Sequence, residues 1–337
     1  MNRARAFSQL IIRSLTRTSF TNVERLPKQS ALLVVANHAS TIDPLLLFSV
    51  IQRDDVTFVG PGDFQLQFPA NIAVKLPNII RVRRTNQLEM ASIKRMMDVL
   101  KQGHCLALFP EGGTWEKPIT DAKAGATYLS MMTTAPILPI GLGGTYQSWS
   151  QVVRLQRPHL SVNVGELIPA VSQPEKRAQR DQVQIDATML MMQRIYDLLP
   201  PADQARYDTL AHTVYGLQVE TLRGKTPELL PLPDGEVLGE ILQKPNLMAP
   251  FIQVAKLTLS SLLTRSYQSP TMVAQAARSL LESLHGDFAG YMEYRLGETK
   301  SQRLYASLET LIEMIGRGEF TALVLRPTMR KDTPLSR

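Results

Sequence analysis

His38 and Asp43, five positions apart, are the first pair of residues in this 337-residue chain whose types and spacing suggest chemistry. They lie in Asn-His-Ala-Ser-Thr-Ile-Asp-Pro, residues 37–44, directly after the apolar run Leu-Leu-Val-Val-Ala. Five positions on one helix would set the two side chains about 140° apart, so they cannot pair within a helix. A strand–loop–helix bend removes the difficulty. Asp43 then stands at a helix N-cap with Pro44 as first helical residue, and the loop returns its carboxylate towards His38. A carboxylate held against an imidazole fixes its tautomer and stabilises the imidazolium, which makes His38 a competent general base. The alternative is a structural contact combined with a helix cap.

Two further segments follow strand-like runs. Phe-Pro-Glu-Gly-Gly-Thr, residues 109–114, places the Glu111 carboxylate before Gly112, Gly113 and Thr114. Paired glycines suit a tight turn where a ligand approaches the backbone, although an ordinary loop reads the same way. Ile-Arg-Val-Arg-Arg, residues 80–84, puts Arg81, Arg83 and Arg84 just before a helix expected to start at Asn86. Arginines beside a helix N-terminus make a phosphate site, the alternative being a solvated basic edge.

These residues need a scaffold that brings strand ends together. Apolar runs at 31–36, 56–59, 79–82, 105–109, 137–142 and 160–164 read as strands. Helical patterns at 43–52, 86–102 and 122–133 lie between them. The alternation predicts an α/β fold with a mixed, partly parallel sheet flanked by helices. Residues 182–199 continue as a helix, and the proline-rich stretch 226–234 reads as a linker. Beyond it, Ser269 and Pro270 open one helix, and Leu304, Leu308, Leu311, Ile312 and Ile315 form the apolar face of another. The C-terminal region is therefore expected to be mostly helical, with strand-like alternation only at 321–325. The organisation read from this pattern is 1–21, 22–220 and 221–337.

Residues 1–20 place Phe7, Leu10, Ile11 and Leu15 at helical spacing among Arg3, Arg5, Arg13 and Arg17. That pattern predicts a basic amphipathic helix on an anionic membrane surface, or one that packs on the domain. No apolar run approaches the roughly 18–20 residues that span a bilayer. The net charge of +7 favours an anionic partner. Nucleic acid has only charge in its favour, without aromatic or helix-turn-helix support. Cys105 is the single cysteine, so an internal disulfide and a multi-cysteine zinc site are excluded, and a cytoplasmic location fits.

Together and in this order, the segments resemble the glycerolipid acyltransferase family typified by bacterial lysophosphatidate acyltransferase. The first motif matches Asn37, His38 and Asp43. The second ends in a phosphate-binding arginine, matched by Arg84 with Arg83 as the alternative register. The third, Phe-Pro-Glu-Gly, matches residues 109–112, with Lys123-Ala124-Gly125 downstream. The fourth, Pro-x-x-Pro, matches Pro136 to Pro139, and Gly165 and Glu166 give the closing glycine-acidic pair. The likeness covers roughly residues 22–200.

The resemblance implies that His38 takes the proton of an acceptor hydroxyl, which attacks an acyl thioester of coenzyme A or acyl carrier protein. Asp43 would support His38, while Glu111 and Arg84 would place the acceptor, most simply 1-acylglycerol-3-phosphate, giving phosphatidate. Another lysolipid, glycerol-3-phosphate, or a non-catalytic lipid- or acyl-carrier-binding role are the alternatives. No cofactor, no metal and no acyl-enzyme are implied, and the place of work is the cytoplasmic face of the membrane. One departure stands out: the third motif usually continues Thr-Arg, whereas here Gly113 and Thr114 follow Gly112. Neither Gly-x-Ser-x-Gly nor a glycine-rich dinucleotide or P-loop pattern is present.

Overall fold

The computed structural model describes residues 2–62, 78–84, 89–114 and 116–331. It divides into two compact units, residues 1–83 with 89–211 and residues 84–88 with 212–337.

The first unit is built on a seven-stranded sheet. In chain order its elements are α1 (Asn2–Leu15), β1 (Arg17–Thr21), β2 (Leu32–Ala36), α2 (Asp43–Val50), β3 (Val56–Pro61) and β4 (Ile79–Val82). Then come α3 (Met90–Lys101), β5 (Cys105–Leu108), α4 (Gly125–Thr133), β6 (Ile137–Gly143) and α5 (Ser148–Val153). β7 (His159–Val164), α6 (Arg180–Asp197) and α7 (Pro201–Ala211) complete the unit. The strand order is β1-β7-β6-β2-β5-β3-β4. β2 to β6 run parallel, whereas β7 is antiparallel to β6 and carries β1 parallel to itself. The mixed sheet with flanking helices is the expected fold class.

β2 is central and buried on both faces, which explains its unbroken Leu-Leu-Val-Val-Ala. Leu32, Val34 and Ala36 join one core with Ile12 of α1, Leu46 and Leu47 of α2 and the half-buried Trp149 of α5. Leu33 and Val35 join the opposite core with Met96 and Leu100 of α3, Leu129 of α4, Ile195 of α6 and Tyr207 of α7. Two apolar layers thus clamp the sheet at a fixed height. The ends of β2 and β5 stand level, because Val35 is in register with Leu108.

The six strands and three helices expected in this unit are present with small shifts at their ends. The helix expected at 86–102 is described from Met90, and its expected cap, Asn86, lies outside the described residues. The segment 1–21 is not helical throughout. Arg17–Thr21 is an edge strand, for which a Thr- and Phe-bearing run is well suited.

The second unit is helix-rich and contains a three-stranded antiparallel sheet, of which periodicity marked only the stretch 321–325, at the start of its last strand. It holds β8 (Thr213–Arg223), β9 (Thr226–Leu230), α8 (Gly235–Gln243), α9 (Pro245–Gln253), α10 (Ser260–Leu263), α11 (Pro270–His285), α12 (Tyr291–Leu296), α13 (Glu298–Arg317) and β10 (Ala322–Lys331). The strand order is β10-β8-β9. β8 is mostly half-buried along its length instead of alternating in and out, so it lacks the period-2 signature. The division expected between 220 and 221 falls inside this strand, and the units part between Ala211 and His212. The expected linker 226–234 begins with β9, which Gly224, at φ +67°, turns back onto β8.

Candidate active site

The C-terminal edge of the parallel strands carries the site. After Ala36 the chain leaves β2 and Asn37, 1% exposed, anchors the turn. Its Nδ2 donates to the Leu142 carbonyl at 2.9 Å, and its Oδ1 accepts the Leu142 N–H at 2.7 Å. One amide side chain thereby extends the β2–β6 pairing beyond the strand end. His38 follows immediately and inherits that rigidity.

Asp43 is the first residue of α2, with Pro44 second, one position inside the cap expected from the sequence. Its carboxylate bends back over the loop. Oδ2 lies 3.0 Å from His38 Nδ1 and accepts the backbone N–H groups of Ala39 and Ser40, each at 2.7 Å. A carboxylate oxygen can only accept, so Nδ1 carries a proton, and in the neutral imidazole Nε2 is the nitrogen with the lone pair. The Asp43 side chain is fully buried and that of His38 is 15% exposed. The imidazole stacks on Phe109, with ring centroids 4.1 Å apart and planes at 20°. His38 is thus fixed at Nδ1 by a buried acceptor and on its face by an aromatic ring. Its remaining nitrogen is the one a substrate hydroxyl can use.

Phe109 begins the turn that follows β5. The Gly112 N–H returns to the Phe109 carbonyl at 3.0 Å, and Gly112 sits at φ +74°, a conformation that costs glycine little. The Lys123 N–H holds the Pro110 carbonyl at 2.8 Å, so Lys123 joins the site through its backbone. Burial pulls the Lys123 ammonium below its ordinary range against the charge of Asp121. Gly113 and Thr114 continue the loop half-buried.

This turn directs the Glu111 carboxylate inward, where it is 3% exposed. Oε1 accepts the His38 backbone N–H at 2.6 Å and the Tyr207 hydroxyl at 3.2 Å. Burial is the largest influence and raises its pKa to about 7, against the opposing pull of the His38 N–H and ring, Arg206 and the Tyr207 hydroxyl. Glu111 therefore titrates near neutrality while gripping the backbone of the residue that carries the base.

Tyr207 and Arg206, both on α7, are the participants that sequence reasoning missed. Tyr207 is buried at 2% exposure, and burial followed by the nearby Glu111 charge holds its phenol protonated well above the ordinary range. The Arg206 guanidinium lies 4.4 Å from the Tyr207 ring centroid and 4.7 Å from that of Tyr146. Tyr207 follows Glu111 by 96 positions, and no local pattern marks it.

The expected phosphate-binding arginines stand differently. Arg83 is exposed just past β4, and its N–H reaches the Glu89 carboxylate at 3.5 Å. Arg84 groups with the second unit, its guanidinium 5.7 Å from the Tyr291 ring centroid. The geometry of the first unit therefore brings together His38, Asp43, Glu111 and the turn of Gly112 and Gly113.

Parts of the chain are similar to known proteins. Residues 17–143, from β1 to the end of β6, match the family model Acyltransferase. A probable 1-acyl-sn-glycerol-3-phosphate acyltransferase of Mycoplasma pneumoniae is 30% identical over 156 residues, covering 44% of this chain and 58% of that protein. A 1-acyl-sn-glycerol-3-phosphate acyltransferase of Borreliella burgdorferi is 27% identical over 127 residues, covering 37% of this chain and 50% of its own. The chain thus spans about half the length of these relatives. The crystal structure of the 1-acyl-sn-glycerophosphate acyltransferase PlsC from Thermotoga maritima aligns with 57% of this chain and 78% of its own, at 17% identity and a TM-score of 0.40. Residues 17–143 are thus similar to the Acyltransferase family, and the relatives they resemble are named 1-acyl-sn-glycerol-3-phosphate acyltransferases.

Proposed function

We propose that this chain transfers a fatty acyl group from an acyl-CoA or acyl-carrier-protein thioester to the hydroxyl of 1-acylglycerol-3-phosphate, giving phosphatidate for phospholipid synthesis. The observation that carries the reading is the buried Asp43 carboxylate holding His38 Nδ1 at 3.0 Å. His38 Nε2 takes the proton of the acceptor hydroxyl as its oxygen attacks the thioester carbonyl carbon. The tetrahedral intermediate collapses, the carbon–sulfur bond breaks, and the proton on His38 passes to the departing thiolate. Asp43 stabilises the imidazolium that exists between the two transfers. Glu111 contributes by holding the His38 backbone, and Arg84 is assigned to the acceptor phosphate. The work is done at the cytoplasmic face of the membrane; among the described residues no helix is long and apolar enough to cross it.

The test is transfer of a labelled acyl group by the purified chain to lysophosphatidate and to an uncharged monoacylglycerol. His38→Ala is expected to keep its fold and lose about 10²–10⁴-fold in turnover, with Asp43→Asn also severe. Normal turnover by a folded His38→Ala protein ends the mechanism. Arg84→Ala should depress transfer to lysophosphatidate far more than to monoacylglycerol. Equal losses would make Arg84 structural.

A further inference from the structure

The direction of β7 and β1 has a consequence for the surface beside the site. β7 starts where β6 ends, since Gly143 pairs with Ser161, and β1 starts level with β7, since Arg17 pairs with His159. The loop 154–158 and the C-terminal end of α1 therefore lie at the same sheet edge as His38. The two segments are joined directly. The Arg157 guanidinium donates to the Arg13 carbonyl at 2.7 Å and to the Thr16 carbonyl at 3.3 Å, closing the end of the helix. Ile12 of α1 and Trp149 of α5 belong to one core, and Gln9 donates to the Ser49 carbonyl of α2 at 2.9 Å. Both elements are thus docked on the face covered by the helix that begins with Asp43.

What they leave outside is unusual for a water-facing surface. Leu155 is 84% exposed, Val153 68%, Phe7 64% and Leu10 62%. Their charged neighbours in the chain are all cationic. Residues 144–165 contain Arg154 and Arg157, residues 6–23 contain Arg13 and Arg17, and neither stretch has an aspartate or glutamate. Large exposed apolar side chains interleaved with arginines match the interfacial region of an anionic bilayer, which takes the apolar groups among its acyl chains and the guanidinium groups among its phosphates.

We propose that the segment Val153, Arg154 and Leu155, where α5 ends and the loop begins, is a lipid-insertion element, which together with Phe7 and Leu10 of α1 seats the catalytic edge on an anionic membrane. This deepens the acyl-transfer reading on which it rests: a site that faces the bilayer receives a lipid hydroxyl without extracting the lipid into water. Vesicle binding by the full chain tests it without reference to catalysis. With vesicles of phosphatidylcholine containing phosphatidylglycerol, Val153→Ser combined with Leu155→Ser should weaken partitioning by at least about tenfold. Arg154→Gln should weaken it by about fivefold at low salt, and neither change should alter transfer to a water-soluble short-chain acceptor. Unchanged vesicle binding by the double variant overturns the proposal, as does equal, salt-independent binding to pure phosphatidylcholine. Failure of the wild type to acylate the soluble acceptor would instead remove the acyl-transfer reading and leave the vesicle result standing. Should the double variant not fold, Leu155→Trp decides the matter. Its added emission should be quenched by brominated acyl chains, and absence of quenching refutes insertion.

Discussion

Replacing Glu111 by glutamine isolates the electrostatic cost of the buried carboxylate. Glu111 is shifted from an ordinary 4.5 to about 7 because it is buried, even though it accepts the His38 N–H and the Tyr207 hydroxyl. The sign follows from proton counting. Between pH 4.5 and 7 the folded chain holds the Glu111 proton and the unfolded chain has released it, so stability falls as pH rises through this window. The slope is about 1.4 kcal/mol per pH unit, and the total is about 3 kcal/mol over the shift. Glutamine keeps an acceptor for the His38 N–H and has nothing to titrate. The stability of Glu111→Gln minus that of the wild type should therefore rise by about 3 kcal/mol from pH 4.5 to 8, around any constant offset from its added N–H₂. Titrating groups that do not interact with Glu111 cancel in this difference. Urea unfolding followed by tryptophan fluorescence is a suitable assay, because Trp149 packs half-buried against a core of the first unit. A flat difference curve would show that the N–H and hydroxyl donors outweigh burial and that Glu111 stays ionised throughout. A falling curve would refute the argument outright.

Two further outcomes follow from the same site. Tyr207→Phe removes a hydroxyl donor from the Glu111 carboxylate; a hydrogen bond to a charged group contributes about 1.5 kcal/mol or more, so the upper end of the rise in the difference curve should move up by about one pH unit, and an unmoved upper end would make Tyr207 a packing residue only. Asn37→Ala strands the Leu142 N–H and carbonyl in the core; at about 1–3 kcal/mol for each unsatisfied group, unfolding stability should drop by about 2–6 kcal/mol, and a loss below about 1 kcal/mol, read from the same urea transition, would contradict the anchoring role.

The parts of this site that were legible in the sequence are those whose physics is local. His38 and Asp43 are separated by one loop, and an apolar strand followed by a helix-opening Asp-Pro constrains that loop strongly enough to bring their side chains together. The turn at residues 109–114 is also a local matter, since Gly112 needs its positive φ whatever packs around it. Pairing across long stretches of chain was not legible. Arg17 pairs with His159 across 142 positions, and Asn37 meets Leu142 across 105. Nothing in either segment's periodicity names its partner. Tyr207 is the clearest case: on α7 it is one aromatic residue among polar neighbours, and only the stacking of that helix over the second core aims its hydroxyl at Glu111.

The same distinction explains the N-terminal segment. Its amphipathic pattern left two outcomes open, a membrane face or a packed face, and the structure assigns different residues to each. Ile12 and Ser8 face inward, at 1% and 3% exposure, whereas Phe7 and Leu10 face out. A helix wheel cannot make that division, because which stripe is covered depends on where α2 lies. The segment 153–157, from the last residue of α5 into the loop, is harder still. Val-Arg-Leu-Gln-Arg reads as an unremarkable connection until the antiparallel return of β7 places it at the catalytic edge, with Arg157 capping α1. Running β7 and β1 against the other five strands therefore does more than widen the sheet. It returns the chain to the edge where β2 and β5 end, and so gathers the base, the end of α1 and an exposed leucine on one rim.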